Sequence, residues 1–176
     1  MTLAKTLREM NACSDAVIWV KDRNLTTAWN ECERADWMLW LCGRMVGKEG
    51  WPTRQKLVLA ACDCAETAKQ YWRKGDKRPA NAIKTARAWA RGKATIKKVR
   101  NAYAAAYAAA ADADAAAAYA AAAYAYAAAA AAYAYAAAAA AYAAYYAAYA
   151  AKKAKHETHL KMCKLIRKRL TPGKIA

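Results

Sequence analysis

Apolar positions recur every three to four residues along most of the chain, a period that predicts helices rather than strands. Thr26 or Thr27 can cap a helix running through TAWNECERADWMLWLCGRM, with Trp29, Cys32, Trp37, Trp40 and Leu41 on its buried side and a stop near Gly47. Gly50-Trp51-Pro52 is a break. Thr53 then caps TRQKLVLAACDCAETAKQYWRK, which places Leu57, Ala60, Ala61, Cys64 and Ala68 on one face. Lys74-Gly75-Asp76-Lys77-Arg78 reads as a loop. Pro79 suits the first turn of the next helix, ANAIKTARAWAR, and Gly92 suits its end. Thr95 restarts a helix. Near the C-terminus Leu160, Cys163, Ile166 and Leu170 form an inward face, and Thr171-Pro172-Gly173 ends it.

Between Asn101 and Ala151 this ordinary amphipathic text gives way to 37 Ala, 11 Tyr, two Asp and one Asn. Ala is the best helix former because it loses no side-chain entropy in a helix. One unbroken helix from Thr95 to Leu170 would exceed about 110 Å, so breaks are expected. Asp112 or Asp114 can cap a new start, and a second break falls within Ala127–Ala132 or Ala136–Ala141. Tyr119, Tyr126 and Tyr133 recur every seven residues, and so do Tyr135, Tyr142 and Tyr149. The two trios lie on nearly opposite faces, so these helices are buried on several sides, with Ala seams and Tyr wedges. The expected fold is all-α: a compact multi-helix bundle with Ala-rich, Tyr-studded central helices, forming one domain over residues 1–176. Its core or near-core includes Trp29, Trp37, Trp40, Leu57, Ile83 and Trp89.

Charge changes the picture. The net charge is +17, yet it lies in blocks: residues 1–68 are neutral, 69–100 carry +11, 101–151 carry −2 and 152–176 carry +8. Residues 115–151 are uncharged and longer than the ~20 residues a membrane span needs. They lack the Leu, Ile, Val and Phe that favour insertion, so no span is expected. Met1–Met10 has no apolar core and does not read as a signal peptide. The six cysteines lack a secreted spacing pattern, so reduced thiols in a cytoplasm are expected.

Catalytic chemistry finds little support. Ser14 is the only serine, and the chain carries no glycine-rich phosphate loop, no HExxH and no CxxC pair. Cys62 and Cys64 read as two small residues of a helix. His156, His159 and Cys163 have the spacing of a three-ligand metal face, but Lys152, Lys153, Lys155, Lys161 and Lys164 around them would repel a cation. Neither a metal nor another cofactor is expected.

The basic block is more informative. Lys84, Arg87 and Arg91 follow one another at spacings of three and four, a positive stripe with Trp89 beside it. Arg78 precedes them; Lys97, Lys98 and Arg100 follow, and then Tyr103 and Tyr107. Guanidinium forks grip phosphate oxygens, and rings stack on bases. A solvated helix face is the plainer alternative.

Three stretches, AWNECERADWMLWL, LVLAACDCAE and RPANAIKTARAWARGKAT followed by Ala-rich helices, resemble the Ala-rich "putative immunity protein" family of bacteria and their phages. The resemblance covers about Leu25 to Leu170. It implies a non-enzymatic helical protein that neutralises a toxin or a defence effector, and no catalytic residue carries over with it.

The expected function is therefore anti-defence binding: sequestration of an anionic ligand, foremost a nucleotide immune signal. Arg78, Lys84, Arg87, Arg91, Lys97 and Arg100 would contact phosphate, and Trp89, Tyr103 and Tyr107 would stack or donate hydroxyls. Inhibition of a toxin or nuclease protein and non-specific nucleic-acid binding are the alternatives. A deep basic cavity would favour the small ligand, and a flat basic surface would favour a macromolecule.

Overall fold

Local capping signals place most of the helix boundaries in the computed structural model, which describes residues 2–67, 69, 75–111 and 155–173. Among these residues there are eight helices and no strand: α1 (Leu3–Glu9), α2 (Ser14–Trp19), α3 (Leu25–Glu31), α4 (Ala35–Met45), α5 (Arg54–Glu66), α6 (Arg78–Ala90), α7 (Ile96–Ala111) and α8 (Lys155–Arg169). The all-α expectation is met. Thr53 caps α5 by accepting from the Lys56 amide at 3.3 Å. Thr95 does the same for α7 through the Lys98 amide at 3.4 Å. Pro79 sits in the first turn of α6. At the end of that helix Gly92 adopts φ +72°, its amide bonds the Trp89 carbonyl at 2.8 Å, and the Lys93 amide bonds the Ala88 carbonyl at 2.7 Å. This is the left-handed stop that glycine makes without steric cost. Asn11 makes the same stop after α1, with φ 60° and the Ala12 amide on the Leu7 carbonyl at 2.9 Å.

The helix expected to run from Thr26 or Thr27 to Gly47 is two helices. Asn24, not either threonine, caps α3 by accepting from the Thr27 amide at 2.9 Å. The chain leaves the helix at Cys32, whose backbone is extended, and resumes at Ala35. The break is made by tertiary partners. Arg167 of α8 donates to the Trp29 and Cys32 carbonyls, groups at the C-terminal end of α3. His159 of α8 accepts from the Ala35 amide at the start of α4. Neither signal lies within the segment itself.

Helix α7 packs on α6, α6 on α5, α5 on α8, and α8 and α5 on α4. The main core lies within this order: Leu39 and Cys42 from α4, Leu57, Val58 and Cys64 from α5, Ile83 and Ala86 from α6, and Met162, Cys163 and Ile166 from α8. Trp29 is buried, Trp37 and Trp89 are half-buried at its margins, and Trp40 is half-buried against the smaller cluster. Leu160, expected to point inward, is half-buried, and Met162 and His159 are the buried neighbours. A second, smaller cluster joins Leu3 and Leu7 of α1 to Val17 and Val20 and to Ala28 of α3. Gly173 closes the C-terminal end against the α4–α5 connection. A Cβ there would stand 2.5 Å from the Trp51 ring and 2.7 Å from the Gly50 backbone, so only glycine permits this approach.

The breaks expected at Asp112, Asp114 and within Ala127–Ala132 or Ala136–Ala141, and the paired Tyr faces, fall outside the described residues. No helix among the described residues is long and apolar enough to cross a membrane.

Candidate functional site

The expected basic residues divide into two groups once α6 is packed against α5. Arg87, in the centre of the stripe, points back onto α5. Its guanidinium donates to Glu66 and, at 2.7 Å, to Asp63. Hydrogen bonding to Glu66 first, and to Asp63, holds its pKa above the ordinary arginine value despite partial burial. Arg78 is likewise turned onto Asp76, with contacts of 3.0 and 3.2 Å from Nε and 3.0 Å from Nη2. The Asp76 carboxylate also accepts from the Arg78 amide at 2.9 Å, which ties the loop to the start of α6. These two arginines already have carboxylate partners in the positions a phosphate would take.

The others face solvent. Lys84 on α6 and Arg91 at its C-cap lie seven residues apart and exposed, and Lys97 and Arg100 are exposed on α7. Lys98 is exposed with them, and so is Lys93, which was not singled out from the sequence. Among the described residues none of Lys84, Arg91, Lys93, Lys97 and Lys98 enters a salt bridge. Trp89 is half-buried against the core. Tyr103 and Tyr107 lie on α7, but their side chains are outside the described residues. The result is a strongly positive surface over the α6–α7 pair.

Two clefts lie elsewhere. A cleft of about 480 Å³ opens between the α1–α2 hairpin and α3–α4, with Leu7, Trp19, Trp29, Trp37, Trp40 and Leu41 among its walls. A second, of about 500 Å³, shares Trp19, Trp37 and Arg34 with it and adds Arg23, Glu31, Glu33, His156 and His159. The Trp19 and Trp37 rings meet at 5.9 Å, tilted by 54°. Arg23 lies over Trp19 at 4.5 Å and Arg34 over Trp37 at 4.6 Å. Both arginines are neutralised in place, Arg23 by Glu31 at 2.9 Å and Arg34 by both oxygens of Asp36 at 2.9 and 2.6 Å. The Arg34 pKa is raised, chiefly by that Asp36 bond. Sequence reasoning missed this pair of clefts. The spacing of Trp19 and Arg23 by one helical turn is its one local signal.

His156, His159 and Cys163 do not assemble into a metal face. His159 is 3 % exposed, and its Nδ1 accepts from the Ala35 amide at 3.3 Å. His156 is exposed, with Nε2 3.8 Å from a Glu33 oxygen. No group of three potential ligands among the described residues could hold a metal ion. The six cysteines are free thiols, and Cys13 alone is exposed. Burial pushes Cys42, Cys62 and Cys163 up to about 12 and raises Cys32 and Cys64 as well. Such thiols stay protonated and unreactive at neutral pH.

Neither a curated protein nor a solved structure matches the chain. Residues 52–171 match the family described as "Imm-5 like putative immunity protein". That span begins at Pro52, so it contains α5 to α8 and the whole basic surface. The AWNECERADWMLWL stretch and both walls of the apolar cleft precede it. On a match over most of its length, the chain belongs to the Imm-5 like putative immunity protein family.

Proposed function

We propose that the protein acts without catalysis, as an immunity protein that binds an acidic protein effector through the exposed basic surface of α6 and α7. The observation that carries this reading is the division of the basic block. Arg78 and Arg87 are turned onto carboxylates of their own chain, while Lys84, Arg91, Lys93, Lys97 and Lys98 stand in solvent. A small nucleotide needs converging donors in a pocket; of the two clefts that share Trp19 and Trp37, one is apolar and the other holds its arginines against carboxylates. An open surface of one sign instead suits a macromolecule of the opposite sign, which it attracts over distance and orients.

The absence of catalysis is supported by the condition of the nucleophiles and bases. Ser14 is exposed at the start of α2, five thiols are buried, and the His159 Nδ1 is held by a backbone amide. A nucleophile, a base and an orienting group do not converge among the described residues.

Calorimetry against cyclic and linear nucleotides and duplex DNA, beside affinity capture from phage-infected cells, tests the reading. No nucleotide should bind tighter than about 100 μM, and a protein should be retained on the resin and released by salt. A nucleotide that binds more tightly, and is recovered intact after heat denaturation, would restore the small-signal reading. Duplex DNA binding at nanomolar Kd with a steep salt slope would make the chain a nucleic-acid binder.

A further inference from the structure

The residues that precede the family span build a cleft that the basic surface does not use. Its walls come from α1, α2, α3 and α4, all before Pro52. It lies between the two buried clusters, where the α1–α2 hairpin meets the main body.

Size decides what such a space can accept. At about 480 Å³ the cleft falls within the range of small-molecule sites, roughly 300–1,000 Å³. An α-helix is about 10–12 Å across and rises about 5.4 Å per turn. One turn of a partner helix would therefore fill the whole cleft, which leaves no room for a helical segment to dock along it.

Chemistry narrows the ligand further. Four tryptophans, Trp19, Trp29, Trp37 and Trp40, line the cleft together with aliphatic side chains. Its ionised groups are Arg34 and Asp36, and each satisfies the other through two bonds, at 2.9 and 2.6 Å. The Asp36 side chain is 10 % exposed and that of Arg34 39 %, so the carboxylate is set into the wall while its guanidinium partner reaches the rim. A charged ligand would find no unpaired counter-charge there and would lose its hydration on entry. An apolar ligand, in contrast, gains from having its surface removed from water.

We propose that this cleft binds a small, uncharged, largely apolar molecule, aromatic or aliphatic, seated between the α1–α2 hairpin and α3–α4. The site is independent of the basic surface, so ligand binding and effector binding can be separated by substitution. Cys13 offers a reporter, because it lines the cleft and is the one exposed cysteine of the chain.

The test uses the full chain and N-phenyl-1-naphthylamine, an uncharged fluorophore. Titration with excitation at the tryptophan band should show saturable energy transfer with one site per chain and Kd of about 1–50 μM. In the same samples the probe should slow maleimide modification of Cys13 at least about fivefold, in line with the site occupancy that such a Kd allows. Ala28→Trp, which adds an indole to a buried wall position, should weaken the probe about tenfold while keeping the helical circular dichroism. Cys13 protection reads the site on the unaltered chain should that variant fail to fold. The triple variant Lys84→Glu, Arg91→Glu, Lys97→Glu should bind the probe as the parent does. Non-saturable fluorescence, unprotected Cys13, or probe uptake only on doubling of the molecular mass would each overturn the proposal.

Discussion

Asp63→Ala will lower the stability of the fold by about 2–3 kcal/mol. The Asp63 carboxylate joins three helices: one oxygen accepts from Arg87 of α6 at 2.7 Å, and the other from Nε of Arg169 of α8 at 2.6 Å. Asp63 belongs to α5, which lies between those two helices. The carboxylate is 17 % exposed, and the arginines 23 % and 37 %. Breaking a fully buried pair costs about 3–5 kcal/mol, an exposed one about 0–1 kcal/mol. Partial solvation of both guanidiniums, and the Glu66 contacts that Arg87 keeps, place this network between those limits. Urea denaturation should show a lower midpoint at unchanged slope. Glu66→Ala, which removes a carboxylate that is 49 % exposed, should cost under about 1 kcal/mol. A loss below about 0.5 kcal/mol for Asp63→Ala would mean that the network contributes no more than a surface ion pair.

Arg167→Ala is expected to have an effect of similar size for a different reason. Its guanidinium reaches from α8 to the Trp29 and Cys32 carbonyls at the end of α3. A positive group is favoured there by the helix dipole. Removing it takes the charged donor from two partly buried carbonyls, at about 1–3 kcal/mol for the group left unsatisfied. Arg167→Lys should recover only part of the loss, because an ammonium cannot span both oxygens as a planar fork does. Equilibrium unfolding of the two variants measures this directly. Equal stability of the Lys variant and the parent would contradict the two-carbonyl role.

These two arginine sites also mark where sequence reading stops. Thr53, Pro79, Gly92 and Thr95 announced α5, α6 and α7, since capping and left-handed stops are encoded within a few residues. The buried faces of α5 and α8 followed from helical spacing, as Leu57, Cys64, Cys163 and Ile166 show. The division between α3 and α4 was not legible. TAWNECERADWM contains no glycine or proline, and the groups that stabilise the break, Arg167 and His159, are over 120 residues away in sequence. The candidate site behaved in the same way. Spacing identified Lys84, Arg87 and Arg91 as one stripe, but Arg87 leaves it because packing brings Asp63 and Glu66, one turn apart on α5, against it. Beyond the Trp19–Arg23 spacing the apolar cleft gave no local signal, because it forms where two short helices, α1 and α2, meet residues of α3 and α4.

The central claim is that the solvent-facing basic surface of α6 and α7 holds the effector. The most direct test is the affinity of the captured effector for a variant in which Lys84, Arg91 and Lys97 are all replaced by Glu. Each of the three is exposed, and none forms a salt bridge among the described residues. The melting temperature should therefore stay within a few degrees of the parent, as expected for substitutions away from packed groups. Affinity should fall at least about 100-fold, the effect of about 2.7 kcal/mol from three like-charge contacts. The loss should shrink as salt screens both surfaces. Effector affinity within twofold of the parent, with the fold unchanged, would contradict the account.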